Sequence, residues 1–325
     1  MTTRVSTTPL TVALIWVDEQ GQPPAARTGG TSRTAHRLSV LTASIASLAA
    51  GWTLTDPDLL HGPAAMQGSA RGTALVMGAV AVPVLLASFL MAWRDHGSAL
   101  LTWAGAMLYL VYNAVLLLVL TPFNAAFLVY VALLGFALWS LAYPGASPEL
   151  WRVGTAIADR DPVRGVAIYV WVIAAANTAA WLAVIIPSLA PYPTPTLVGT
   201  GVQTNAIYIQ HLAVWLPLAA VAALWLRRRQ PRGAVVVGAL LGLWVVEGIS
   251  VATDQWFGVH ADRSSSVVSL TLVGPFLALA AIGLVPLWLL LSAPLRRAYG
   301  RRDDKAASLA GRSRLPATRK SSGTH

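Results

Sequence analysis

Residues 240–254, "LLGLWVVEGISVATD", indicate the class of fold to which this chain belongs. They surround a single carboxylic acid, Glu247, with apolar side chains. The run extends over residues 233–253 without a lysine or arginine, and about 20 such residues in an α-helix cross the roughly 30 Å hydrocarbon core of a bilayer. The stretch therefore predicts a transmembrane helix, and it raises the question of what an acid does inside it.

The composition of the whole chain also indicates a lipid environment. It is 56% apolar and 11% charged, with a mean hydropathy of +0.62, whereas soluble domains are about 45–50% apolar and about 25% charged. Long apolar runs recur without the alternation of barrel strands, and in lipid only helices or closed barrels satisfy every backbone group. We predict an all-α fold, a polytopic transmembrane helix bundle of about eight spans.

The predicted spans form one membrane domain, residues 36–294. The tails at 1–35 and 295–325 are polar, and we expect both to be disordered. The eight spans are residues 36–55, 73–93, 98–120, 124–143, 165–188, 206–226, 233–253 and 267–292.

The distribution of basic residues predicts the orientation. If both termini are cytoplasmic, 21 of the 23 lysines and arginines lie on the inner side, and only Arg71 and Arg263 lie outside. Cytoplasmic loops of membrane proteins carry such an excess. The net charge of +10 is therefore explained by topology, and we expect no nucleic-acid partner. The basic tail after Leu295 is expected to contact anionic lipid.

The order of residues in the two halves suggests a duplication. Phe127 and Phe276 are each followed twelve residues later by a tryptophan, and Pro83 and Pro217 lie at similar distances before an inner arginine. A four-plus-four repeat fits these pairs. Because each half has an even number of spans, the two halves would be parallel to each other.

The segment 147–165 between the fourth and fifth spans predicts a short amphipathic helix. Leu150, Trp151 and Ile157 form an apolar stripe opposite Arg152 and Asp159. We expect this helix to lie in the inner membrane interface. Docking of a partner protein is the alternative.

Motifs for catalysis or cofactor binding are missing from the sequence. It has no cysteine, Walker loop or nucleophile elbow, and His211 is the only histidine in the interior of a predicted span. We therefore predict no cofactor, no metal and no enzymatic activity. His61 and His260 with nearby aspartates leave a loose outer metal site as a minor alternative.

Polar residues inside the predicted spans share one depth. Glu247 lies about 22 Å from the cytoplasmic end of its span, His211 about 24 Å and Asn113 about 22 Å, at the helical rise. The short loop 227–233 makes the sixth and seventh spans antiparallel neighbours, so His211 is the expected partner of Glu247. The candidate polar site comprises Glu247, His211, Asn113, Tyr112, Tyr130 and Asn177.

Three segments carry a resemblance to a known family: "RGTALVMGAVAVPVLLASFLMAWR" (71–94), "GAMLYLVYNAVLLLVLTPFNAAFLVYVALLGFALWSL" (105–141) and "GVQTNAIYIQHLAVWLPLAAVAALWLRRRQPRG" (201–233). They look like the corresponding segments of a widespread family of bacterial multi-span membrane proteins with no assigned activity. The resemblance implies the fold and a membrane location, and it implies no reaction.

These features predict a multi-pass protein of the bacterial cytoplasmic membrane. The first interpretation is a non-catalytic or accessory component, whose polar layer consists of hydrogen bonds between helices. The alternative is a small-solute or lipid permease that uses the layer as a binding or proton-coupling site. An intramembrane enzyme is the third and weakest interpretation.

Overall fold

The computed structural model describes residues 31–93, 98–142, 148–160, 163–190 and 194–292. Within these ranges the protein is all-helical, without a strand. The predicted C-terminal tail, residues 295–325, lies outside the described residues. Residues 1–30 of the predicted N-terminal tail lie outside them as well. The first helix begins at Thr31, five residues before the predicted span.

The helices of the first half are α1 (Thr31–Thr55), α2 (Ala64–Val76), α3 (Val82–Trp93), α4 (Ala99–Leu120) and α5 (Phe127–Ala142). The amphipathic helix α6 (Pro148–Ala158) follows. The second half contains α7 (Val163–Ile185), α8 (Ala206–Gln210), α9 (Leu216–Arg227), α10 (Pro231–Ala261) and α11 (Val273–Leu291). The end of the bundle that carries residues 56–63, 121–126 and 262–269 is called the outer end, following the predicted orientation.

Among the described residues, seven helices are long and apolar enough to cross a membrane. The fourth predicted span corresponds to α5, which is apolar but only 16 residues long. It starts late because Asn124 holds the preceding turn, accepting a hydrogen bond from the backbone N–H of Ala126 at 3.0 Å. The all-helical class is confirmed, with helices suited to a multi-pass membrane protein.

Two prolines inside the predicted spans follow a π-helical turn. Met77–Ala81 joins α2 to α3 just before Pro83, and His211–Trp215 joins α8 to α9 just before Pro217. Proline has no N–H and its ring clashes with the carbonyl four residues earlier, and a wider turn accommodates both effects. Pro286 lies inside the α-helix α11 instead.

Helix α10 is the centre of the fold and packs against α2, α4, α6, α9 and α11. Its 31 residues extend about 46 Å at the helical rise, two turns beyond the predicted span. Glycines allow its closest contacts. A Cβ on Gly105 of α4 would lie 2.9 Å from the Cα of Gly242, and one on Gly72 of α2 would lie 2.8 Å from the Cα of Asp254.

Helix α6 confirms the predicted amphipathic segment, but its apolar side faces protein. Leu150, Val153 and Ile157 are buried. A Cβ on Gly154 would lie 2.5 Å from the carbonyl oxygen of Pro231, so α6 packs on the first turn of α10. Much of the predicted apolar stripe is thus packed against α10, and the position of α6 at the inner membrane interface stays a prediction.

The two halves differ in how completely they close. In the first half α1 and α5 pack extensively, and hydrogen bonds join them at two depths: Thr42 to Ser140 at 3.0 Å and Thr53 to Tyr130 at 2.8 Å. In the second half α7 and α11 hardly touch. The hydroxyl of Tyr169 on α7 lies beside Gly283, in the middle of α11. We call the space between α7 and α11 on the outer side of this contact the α7–α11 gap.

Candidate functional site

Glu247 finds its partner on the neighbouring helix α4. The side-chain amide of Asn113 donates to the Glu247 Oε2 atom at 2.8 Å and to the carbonyl oxygen of Tyr109 at 3.2 Å. Asn113 is fully buried, whereas Glu247 is half-buried. Asn113 and Glu247 share one predicted depth, and they meet in the structure. The partner of the acid is therefore the amide of Asn113 rather than the expected imidazole of His211.

His211 does not make the hydrogen bond expected of it. Its Nδ1 atom lies 2.9 Å from the carbonyl oxygen of Ile207, one turn earlier in its own helix. Its ring packs edge-on against Tyr112 at 5.7 Å and against Trp181 at 5.3 Å between centroids. The prediction of a Glu247–His211 pair is therefore wrong.

The reason lies in the course of the sixth span. The loop 227–233 does bring α9 beside the first turn of α10. Farther out, α8 lies against α4 instead, where the Gln210 amide donates to the carbonyl oxygen of Tyr112 at 3.3 Å. A short loop determines which helix ends are neighbours, but not which side chains meet about four turns away.

Two further polar contacts hold α10, and sequence reasoning missed both. Tyr109 and Ser250 are fully buried, with their hydroxyl oxygens 3.0 Å apart between α4 and α10. The Thr73 hydroxyl of α2 donates to Asp254 Oδ1 at 3.0 Å. Asp254 lies one residue beyond the predicted span 233–253, which excluded it from the predicted polar layer. Its spacing of seven residues from Glu247, which is two helical turns, is a signal that was available.

The other two predicted site residues lie elsewhere. Tyr130 belongs to the first half, where its hydroxyl pairs with Thr53. Asn177 is half-buried on α7, and within the described part of the chain no hydrogen bond joins its side chain to Glu247. The structure thus reduces the predicted layer to a pair, Glu247 with Asn113, beside an aromatic group around His211.

Among the residues that the structure describes, two buried side-chain polar atoms have no hydrogen-bond partner: Asn113 Oδ1, beside the carboxylate, and the indole Nε1 of Trp181, whose ring packs against His211 and Tyr208. A buried polar atom without a partner costs about 1–3 kcal/mol. Such atoms are rare in folded proteins and call for an explanation such as water or a ligand.

One side of α10 is half-buried along the site, and Asp254 on this side contacts α2. Trp244, Glu247, Val251 and Asp254 are half-buried, whereas Val245, Val246, Gly248 and Ser250 between them are buried. Gly233 lies on the same side of α10 and contacts α9.

The outer end is polar, without a metal cluster among the residues that the structure describes. The His260 Nδ1 atom lies 2.7 Å from the carbonyl oxygen of Trp256. Hydrogen bonds from the side chain and backbone of Ser264 lower the pKa of the Asp262 carboxyl. These side chains are engaged in local contacts within their own loops and helix end.

Comparisons with family models, curated proteins and solved structures found no match to this chain. A fold alone does not imply a function. The function has to be inferred from the residues of the site.

Proposed function

We propose that the protein is a non-catalytic, multi-pass component of the bacterial cytoplasmic membrane, in which polar residues inside the helices join the helices to one another. The hydrogen bond from Asn113 to Glu247 is the observation that carries this proposal. This hydrogen bond occupies one oxygen of the Glu247 carboxylate. No catalytic motif in the sequence accompanies that carboxylate. The Tyr109–Ser250 and Thr73–Asp254 contacts act in the same way on the same helix.

The physical basis is the absence of a hydrophobic force between helices in lipid. Transmembrane helices associate through close packing of small residues and through interhelical hydrogen bonds of about 0.6 kcal/mol on average and about 1.7 at most. Helix α10 uses both, because Gly242 and Gly248 contact α4 and α11 closely while Glu247, Ser250 and Asp254 form hydrogen bonds.

We further propose that both termini are cytoplasmic, that the basic tail contacts anionic lipid, and that no nucleic acid or cofactor is bound. The excess of basic residues on one side supports the orientation. The resemblance of segments 71–94, 105–141 and 201–233 supports membership of the bacterial membrane family. The π-helical turns before Pro83 and Pro217 support the four-plus-four repeat.

The test compares Glu247→Gln with Glu247→Leu in purified protein. Glutamine can still accept from Asn113, so the apparent melting temperature in detergent should stay near that of the wild type. Leucine removes the acceptor that the Asn113 amide has on α10 and should lower the melting temperature. Asp58→Asn, at an exposed outer carboxylate, is the control and should change nothing. A Glu247→Leu protein as stable as the wild type would refute the structural role.

A permease for a small solute or a lipid is the second candidate. The half-buried state of Glu247 and the unpartnered Asn113 Oδ1 favour it. In this case Glu247→Gln should leave folding intact and abolish transport, measured as solute or lipid movement into proteoliposomes. Under the first proposal, wild type and variant behave alike in that assay.

A further inference from the structure

We propose that the inner end of α7 and α9 binds the phosphate group of an anionic phospholipid. The inner end is the end of the bundle opposite the outer end. The site consists of Arg160, Arg164, Arg227 and Arg228, called here the inner arginine cluster. It is separate from the basic tail after Leu295, and it goes beyond the hydrogen bonds that join the helices.

Two segments distant in the chain meet at this end. The Nη1 atom of Arg229 donates to the carbonyl oxygen of Ala158 at 3.4 Å and to that of Arg160 at 3.3 Å. The turn after α9 therefore lies against the segment between α6 and α7. Helices α7 and α9 pack against each other, and Val163 and Leu226, next to the arginines in sequence, are fully buried. Arginines of both segments are thus gathered at one end of the helix pair.

The convergence of these arginines is not explained by topology alone. An excess of basic residues orients a chain wherever they lie in its cytoplasmic loops. Here the segments 158–164 and 227–232 carry six arginines against two aspartates, and hydrogen bonds from one segment to the other hold them together. Like charges brought together repel each other, and an anion bound between them removes that repulsion.

The guanidinium groups of the cluster are available to an anion. Arg164, Arg227 and Arg228 are exposed, and Arg160 is half-buried. In the part of the chain that the structure describes, no hydrogen bond or ion pair engages these four side chains. A guanidinium can donate two parallel N–H bonds to a phosphate group. Phosphate is therefore the anion that the cluster suits best.

The residues beyond the arginines indicate a lipid rather than a soluble phosphate. On each helix the positions four and seven residues from the arginine, toward the middle of the membrane, are apolar and exposed: Ile168 and Trp171 beyond Arg164 on α7, and Leu224 and Val221 beyond Arg228 at the end of α9. Residues at these spacings share one side of a helix. Each helix therefore presents a cation at the inner end, followed by an apolar strip. A phospholipid has the same order of charged group and acyl chain, and basic sites between transmembrane helices at this level bind anionic head groups.

The experiment measures lipid retention by native mass spectrometry of the purified, delipidated full-length protein. The protein is given equal amounts of phosphatidylglycerol and of phosphatidylcholine with the same acyl chains, which differ in net charge. One arginine near a membrane surface contributes about fivefold to the binding of an anionic lipid. We therefore expect retention of phosphatidylglycerol to be about five- to tenfold greater. Glycerol phosphate, which has no acyl chains, should leave the bound lipid in place at the same concentration.

Variants locate the site. Arg164→Gln combined with Arg228→Gln removes one exposed arginine from each segment and should reduce the preference about fivefold. Arg301→Gln combined with Arg302→Gln removes the same charge from the basic tail and should preserve most of the preference. Lysine at residues 164 and 228 keeps the charge and should retain more of the preference than glutamine does. Melting temperatures in detergent establish that the variants fold.

Equal retention of both lipids by the wild type would overturn the proposal. A preference lost in the tail variant and kept in the Arg164→Gln, Arg228→Gln variant would also overturn it, because the lipid would then be bound by the tail. Displacement of the lipid by glycerol phosphate would contradict a lipid site, as would a copurifying protein that is lost from the same cluster variant. None of these outcomes affects the structural role of Glu247, which is judged by the stability of Glu247→Leu. The two proposals therefore fail separately.

Discussion

Gly105 of α4 and Gly242 of α10 face each other where the two helices cross. A Cβ built on Gly105 would lie 2.9 Å from the Cα of Gly242, and one on Gly242 would lie 3.1 Å from the Cα of Gly105. Both neighbours are backbone atoms, so neither side can yield without moving a helix. This crossing brings α4 close enough for the Tyr109–Ser250 and Asn113–Glu247 contacts farther out.

Gly105→Ala should therefore destabilise the protein, since the added methyl group separates α4 from α10. We expect a lower melting temperature in detergent and a loss of about 1–3 kcal/mol, typical of overpacking. Gly135→Ala is the matched control, because a Cβ there meets nothing within 4 Å and alanine favours a helix. Equal stability of the two variants would contradict the close crossing.

The Tyr109–Ser250 contact can be measured with a double-mutant cycle. Tyr109→Phe and Ser250→Ala each remove one hydroxyl, and the pair should show a coupling of about 0.6–1.7 kcal/mol, the range for hydrogen bonds between transmembrane helices. Tyr109→Phe combined with Ser44→Ala, at an exposed serine of α1, should be additive. Additivity in both cycles would show that the contact contributes nothing.

The Asn113–Glu247 pair should show rescue. Asn113→Leu removes the donor and leaves a carboxylate in the bundle, which should cost about 1–3 kcal/mol. Replacing both partners with leucine removes every unsatisfied group, so the double variant should be at least as stable as either single variant. The measurement is the unfolding midpoint of the wild type, of each single variant and of the double variant. A double variant with the summed losses of the two single variants would mean that the residues act independently.

The orientation is testable because the chain has no native cysteine. Single cysteines at Arg263 and Arg228, both exposed, leave the local hydrogen bonds of Asp262 and Arg229 in place. A membrane-impermeant thiol reagent on intact cells should label residue 263 and spare residue 228. After lysis both should react. Labelling of residue 228 alone in intact cells would show that the topology is the reverse of the predicted one.

Much of the architecture is predictable from the sequence because it follows from local properties. Each long apolar run has to satisfy its backbone hydrogen bonds internally in lipid, so the helices follow from composition and length. The turn at residues 121–124 and the helix in segment 147–165 follow from local patterns in the same way. The shared depth of Asn113 and Glu247 is also local, since it depends only on the helical rise.

The tertiary structure decided which residues meet. Asn113 and Glu247 lie 134 residues apart, and their contact depends on how glycines let α4 and α10 cross. Asp254 joined the site because α10 continues past its apolar run and packs on α2. The α7–α11 gap depends on which helices pack against α7 and α11. Helix formation is encoded within each segment, whereas packing depends on shape complementarity between surfaces distant in the chain, which no single segment contains.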